Sequence, residues 1–222
     1  MRTLESLEGI SDGKIYDIKD MVKADAGGCE GCHACCQGVG ELVELTPFDV
    51  FEISSALNMS FSDLLTNKLE LREHKKIMLP HLQMKGASED CAFLSEAGRC
   101  EIHMHRPNIC RLFPLGRVYL EEDFKYFLQV GACVKPKLDK IKVKKWIGID
   151  NYKSNKAFIL QWHSFIKALT FRLKFIRDED ELKDINLYLH KTFFEIAEQG
   201  SDDFYATFES QLIQAKNKLG II

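Results

Sequence analysis

What the sequence lacks narrows its chemistry first. No continuous apolar run approaches the length needed to cross a bilayer. The opening MRTLESLEGISDGKIYDIKDMVK mixes charges with isolated apolar residues and builds no apolar export signal. A cytoplasmic location with no membrane partner is therefore expected. Neither sign of charge dominates: 30 Lys+Arg against 33 Asp+Glu leave a formal charge of −3, which supplies no basic field for nucleic acid. There is no glycine-rich phosphate loop, zinc-protease helix, nucleophile elbow or dinucleotide fingerprint. Repeats and low-complexity tracts are missing too. With 45% apolar residues in a chain of 222, a sizeable core can form without covalent staples, in one or two domains.

What is there in quantity is cysteine, eight residues in all. A reducing compartment disfavours disulfides and leaves thiolates free for metal. Cys29, Cys32, Cys35 and Cys36 form a CxxCxxCC loop that follows Gly27 and Gly28 and contains nothing apolar to bury, so packing does not explain it. Two-residue gaps let three thiolates converge on one centre, a spacing common to cubane iron–sulfur and zinc sites. Neighbouring side chains usually diverge, so Cys36 is expected to face a second site. Cys91, Cys100, Cys110 and Cys133 follow as singles. Together the eight can fill two four-coordinate centres, or one complete cluster and a site with an open position. Zinc commonly takes two separated close pairs, and the second pair is missing here. That favours an iron–sulfur cluster, of the 4Fe-4S type, over zinc.

Arg99, Arg106, Arg111 and Lys135 lie next to downstream cysteines, where they offer counter-charge to thiolates or ordinary surface ion pairs. His33, His103 and His105 lie in or beside the cysteine segments and are candidates for ligation or for a hydrogen bond to sulfur. His163, beside Trp162, reads as a residue of a helix's polar face. His74, His81 and His190 carry no motif.

The coarse architecture is α+β: a small loop-rich metal-binding region with short hairpins and helices over 1–135, and a C-terminal helical subdomain over 150–222. KIYDIKDMVK places Ile15, Ile18, Met21 and Val22 on one helical face, with a short strand as the alternative. Leu42, Val43 and Leu45 read as a strand ending at Thr46. There Thr-Pro-Phe-Asp offers an N-cap, a first-turn proline and a carboxylate three residues on, predicting a helix from Pro47 to about Leu57. Ser60 to Asp63 repeats that signal. Ile77 to Leu82, interrupted by Pro80, predicts an edge strand. A turn at Ser95 to Gly98 is expected to bring Cys91 and Cys100 together in a hairpin. A second hairpin is expected over Arg111 to Leu120 and Phe124 to Val130. Three cysteine-free helices follow the lysine-rich KPKLDKIKVKKW. The first, about Ser154 to Ile176, carries Phe158, Trp162, Phe165, Ile166, Leu169 and Leu173 at helical spacing. Leu160, Phe171 and Phe175 give it a second apolar face, so it is either central or a candidate surface for a protein partner. The second helix carries Leu182, Ile185, Leu189, Phe193 and Ile196, and the third Phe204, Phe208, Leu212, Ala215 and Leu219.

CEGCHACC, the helix start TPFDV, then CAFLSEAGRCEIHMHRPNICRLFPLG and Cys133 together resemble the CxxCxxCC family of zinc- or iron-chelating proteins, also called YkgJ-type cysteine-cluster proteins. The resemblance covers about Cys29 to Cys133 and places all eight family cysteines on cysteines here. Arg106-Pro107 and Cys110-Arg111-x-Phe113-Pro114 match the family's most characteristic string. KIYDIKDMVK and KVKKW resemble a bacterial, clostridial-type subgroup. The resemblance implies metal chelation, often as an iron–sulfur protein. A related branch, the flagellin lysine N-methylases, implies an enzymatic alternative, although no residue here can be assigned to methyl transfer.

Overall fold

A computed structural model of the protein describes residues 7–27, 32–200 and 203–221. Gly28 and Cys29 lie outside the described residues. The α+β architecture expected from the sequence is present, as helices and short antiparallel strand pairs.

Two capping boxes start the first helices. Thr46 Oγ1 accepts from the Asp49 amide at 3.3 Å while Asp49 Oδ2 accepts from the Thr46 amide at 2.9 Å, and α1 runs over Pro47–Leu57. Ser60 and Asp63 make the same reciprocal pair at 3.0 and 3.2 Å to start α2, Phe61–Asn67. Each box satisfies amides that the first helical turn leaves without intrahelical acceptors.

KIYDIKDMVK is not helical: β1 spans Met21–Asp25 and pairs antiparallel with β8, Asp139–Lys142. Burial alternates with period two, hiding Val22 and Ala24, whereas Ile15 and Met21 of the expected helical face are 43% and 48% exposed. The partner strand lies more than a hundred residues away, which local periodicity cannot report. β2, Leu69–His74, pairs in register with β3, Ile77–Leu82, the expected edge strand. The strand expected at Leu42, Val43 and Leu45 shrinks to a bridge between Glu44 and His81, with the Leu45 amide donating to Pro80 O at 2.8 Å.

β4, Met84–Lys85, pairs with β5, Asp90–Cys91, so Cys91 faces Met84 in its ladder, and not Cys100. The Ser95–Gly98 turn nevertheless forms, closed by a Leu94–Cys100 bridge and by the Glu101 amide donating to Phe93 O at 2.9 Å. Arg111 belongs to a short helix, α3 at Asn108–Leu112, and the second hairpin begins only at Leu115. Its strands are β6, Leu115–Tyr119, and β7, Phe124–Leu128. Gly116 permits this pairing: a Cβ there would lie 2.4 Å from Phe127 Cζ.

KVKKW forms α4, Val143–Ile147. The long helix α5 covers Tyr152–Leu173, α6 covers Glu179–Leu189 and passes through a wider turn at 190–194, and α7 covers Phe204–Lys218. Their aromatic side chains interlock edge to face, Phe158 on Phe208 at 4.7 Å and Trp162 on Phe193 at 5.2 Å. Phe48 of α1 reaches Phe204 at 5.2 Å, and Phe61 of α2 reaches Phe194 at 5.6 Å, so one buried cluster joins these helices to the cysteine-bearing segments. Phe171 of α5 and Phe175 just beyond its end, both from the expected second apolar face, remain 62% and 73% exposed.

Lys76 anchors the α5 end. Its ammonium donates to Leu173 O, the last residue of α5, at 3.1 Å and to Ile176 O, just beyond it, at 2.7 Å. This explains why a lysine tolerates the left-handed backbone of the β2–β3 turn, φ 70°. Lys76→Met keeps the stem and the backbone demand but removes the donor. A loss of about 1–2 kcal/mol is expected in urea unfolding; an unchanged midpoint would remove this role.

Candidate metal centre

Three segments bring the thiols together. The first is the loop over 32–38, in which Ala34–Cys36 make a single tight turn. It docks on the strand that carries Cys91: Gln37 bridges Asp90, Gln37 Nε2 donates to Asp90 Oδ1 at 2.8 Å, and the Gly38 amide donates to Glu89 O at 3.0 Å. The second segment is the Cys91 to Cys100 hairpin, whose Gly98 sits against His33; a Cβ there would meet His33 Nδ1 at 3.0 Å. The third is α3, which carries Cys110.

Asp49, the capping-box carboxylate three residues after Thr46, also holds this third segment in place. Asp49 is 2% exposed, and its Oδ1 accepts from the Asn108 amide at 2.7 Å and from Asn108 Nδ2 at 2.9 Å while Oδ2 serves the Thr46 cap. Burial raises its carboxyl above the ordinary value, although these donors and the nearby Arg117 pull the other way. One buried side chain thus starts α1 and ties α3 to it.

Cys32, Cys35, Cys36, Cys91, Cys100 and Cys110 line a single cavity of about 730 Å³. Cys133 lines an adjoining cavity of about 160 Å³ that also touches Cys32 and Cys35. Every described cysteine is a free thiol. The expected divergence of Cys35 and Cys36 is not observed, because a tight turn points both into the same space and Cys36 donates its S–H to the Cys35 sulfur. That hydrogen bond, with Arg106 nearby, outweighs burial and brings Cys35 down to about 6. Cys36 is pushed up by the same bond, by burial and by the charges of Cys35, Cys91 and Cys100. Burial is the main cause that raises Cys91, Cys100 and Cys110, and each is raised further by other sulfurs of the group. Thiols from all three segments therefore sense one another electrostatically.

Among the described residues, no three Cys, His, Asp or Glu side chains already stand as a ligating set. Neutral thiols have no reason to contract on one point, whereas a cation that displaces their protons supplies one. The donor set therefore fits a thiophilic metal, with four sulfurs held protonated until a positive centre arrives.

The cations fit as well. Arg99, Arg106 and Arg117 line the cavity, and none of them is ion-paired to a carboxylate among the described residues. Arg111 instead spends its donors on Arg106 O and Met104 O. Lys135 lies at the smaller cavity with Cys133. Of the histidines, His33 and His103 line the large cavity, and His103 Nε2 stands 3.1 Å from Arg106 Nη1. His105 turns away to Glu52 at 3.2 Å. His163 is not on a polar face: it lines the cavity and stacks on Tyr119 with ring centroids 3.8 Å apart.

The low position of Cys35 gives a direct test on metal-free, reduced protein. Its thiolate forms as the pH rises through about 6 and is lost below it. Iodoacetamide labelling mapped by mass spectrometry should therefore modify Cys35 before Cys36, Cys91, Cys100 or Cys110 at neutral pH. A half-rise for Cys35 above pH ~8, the ordinary thiol range, would contradict the Cys36 hydrogen bond.

A thiol-lined cavity walled by short hairpins and closed by helices defines a cysteine-cluster protein. Residues 28–134 match the model of the CxxCxxCC family, described as a "putative zinc- or iron-chelating domain". No curated protein and no solved structure matches the chain significantly. Among the described residues no helix is long and apolar enough to cross a membrane.

Proposed function

We propose that the protein holds an iron–sulfur cluster on its cysteines, in a redox or structural role. In this reading the ligands are drawn from Cys29, Cys32, Cys35, Cys36, Cys91, Cys100, Cys110 and Cys133, of which six line the large cavity and Cys133 the adjoining one. The observation that carries this reading is the convergence of thiols from three separate segments on one cavity. Such a cluster supplies one-electron chemistry, or a cross-link between the three segments. Arg99 and Arg106 balance the negative charge of the thiolates. In this reading residues 1–135 form the metal-binding domain and 150–222 a helical subdomain that closes it.

Anaerobic purification followed by iron, sulfide and zinc analysis tests the proposal. Brown protein with matching iron and sulfide is the expected result. Colourless protein with stoichiometric zinc selects the zinc-chelating alternative that the family description allows. Protein free of both metals removes metal binding altogether. A methylase-like activity requires S-adenosylmethionine binding, and calorimetry without heat would exclude it.

A further inference from the structure

The thiols account for only part of the large cavity. Metal–sulfur bonds of about 2.3 Å confine a thiolate-ligated centre to a fraction of about 730 Å³, a volume within the ~300–1,000 Å³ of small-molecule sites. Another part of the wall is built by α5, which contributes no cysteine. Ile159, Trp162, His163 and Ile166 recur there at i, i+3, i+4 and i+7, so one stripe of the helix lines the cavity. Tyr119 of β6 stands against it, stacked on His163 with an interplanar angle of 9°. His163 is the polar group of this wall, and its ring nitrogens have no hydrogen-bond partner among the described residues. Burial and Lys167 lower its proton affinity, which favours the neutral ring with one donor and one acceptor nitrogen. Leu42 lines the same cavity and is 69% exposed, giving access from solvent. Protein interiors leave few apolar spaces of this size unfilled.

We propose that the α5-lined part of the cavity binds a small organic molecule that is flat, ring-containing and largely apolar, with one polar group hydrogen-bonded by His163. The walls set the class: Trp162, Tyr119 and His163 contribute aromatic atoms to the lining, and Ile159 and Ile166 contribute aliphatic ones. The site is formed by protein side chains alone. Its position beside a metal centre is the one element that rests on the preceding proposal.

The test uses the full chain as purified and 1-anilinonaphthalene-8-sulfonate as the probe, with metal content measured on every sample. Saturable fluorescence with one dye per chain is expected. Ile166→Trp, which fills the cavity, should weaken binding by about tenfold or more. His163→Phe keeps a ring on Tyr119 but removes the polar atoms, and should weaken it by about fivefold, the worth of one hydrogen bond. Should Ile166→Trp fail to fold, His163→Phe decides. Phe171→Ala/Phe175→Ala removes the exposed apolar pair at the C-terminal end of α5 and just beyond it, and should bind dye as the wild type does. Unchanged affinity in both cavity variants, or loss of binding in the Phe171/Phe175 variant, overturns the proposal. Metal-free wild type whose dye binding still depends on Ile166 would remove the metal reading and leave this site standing.

Discussion

Cys110→Ser is expected to lower the metal content to less than half and to cost about 3–5 kcal/mol of stability in the metal-loaded protein. Cys110 sits on α3 behind Asn108, and its thiol is held protonated by burial and by Cys91, Asp49, Cys100 and Cys35. A metal that displaces its proton relieves that cost and ties α3 to the other two segments, so binding free energy becomes folding free energy. Serine retains the volume approximately but is a poor ligand, and the tie is lost. In metal-free protein the same substitution exchanges only a buried thiol for a buried hydroxyl, about 1–2 kcal/mol. Urea unfolding of both proteins, with and without metal, separates the terms. Equal losses in the two states would mean that Cys110 is a packing residue and no ligand.

Asp49→Ala should be nearly as damaging, at about 3–5 kcal/mol, and should reduce metal content with it. The substitution removes the carboxylate half of the capping box and leaves the Asn108 amide, Asn108 Nδ2 and the Thr46 amide without their acceptor, and buried unsatisfied donors cost about 1–3 kcal/mol each. Because Asn108 is two residues from Cys110, the loosened helix also misplaces that thiol. Asp49→Asn keeps an acceptor for Asn108 and should fall between alanine and wild type. The pH dependence follows from the raised carboxyl. The folded state holds the Asp49 proton more tightly than the unfolded chain does, so this group favours folding most below the ordinary carboxylate value of 3.8. Its contribution declines as the pH rises through the raised folded value. Asparagine removes that slope. A wild-type melt indistinguishable from that of Asp49→Ala would refute the role of this carboxylate.

The local features were legible because their causes span only a few residues. The boxes at Thr46 and Ser60 are closed by partners three positions away, and the turn at Ser95 to Gly98 is closed by its own backbone. The stripe of Phe158, Trp162, Phe165 and Leu169 follows from 3.6 residues per turn. Three of the misreadings involved a distant partner. β1 looks helical until β8 pairs with it. His163 looks polar-faced until Tyr119 stacks on it. Asp49 looks like no more than the capping-box partner of Thr46 until Asn108 arrives.

By itself the sequence determined the donor inventory, the mixed α+β class and the starts of α1 and α2, because composition and short-range hydrogen bonding are properties of neighbouring residues. Tertiary structure alone decided that Cys36 shares a cavity with Cys91, Cys100 and Cys110, that Cys133 lies at the adjoining one, and that α5 closes the space with a histidine. Those facts depend on loop closure and side-chain packing between segments dozens of residues apart, for which no spacing along the chain carries a signal.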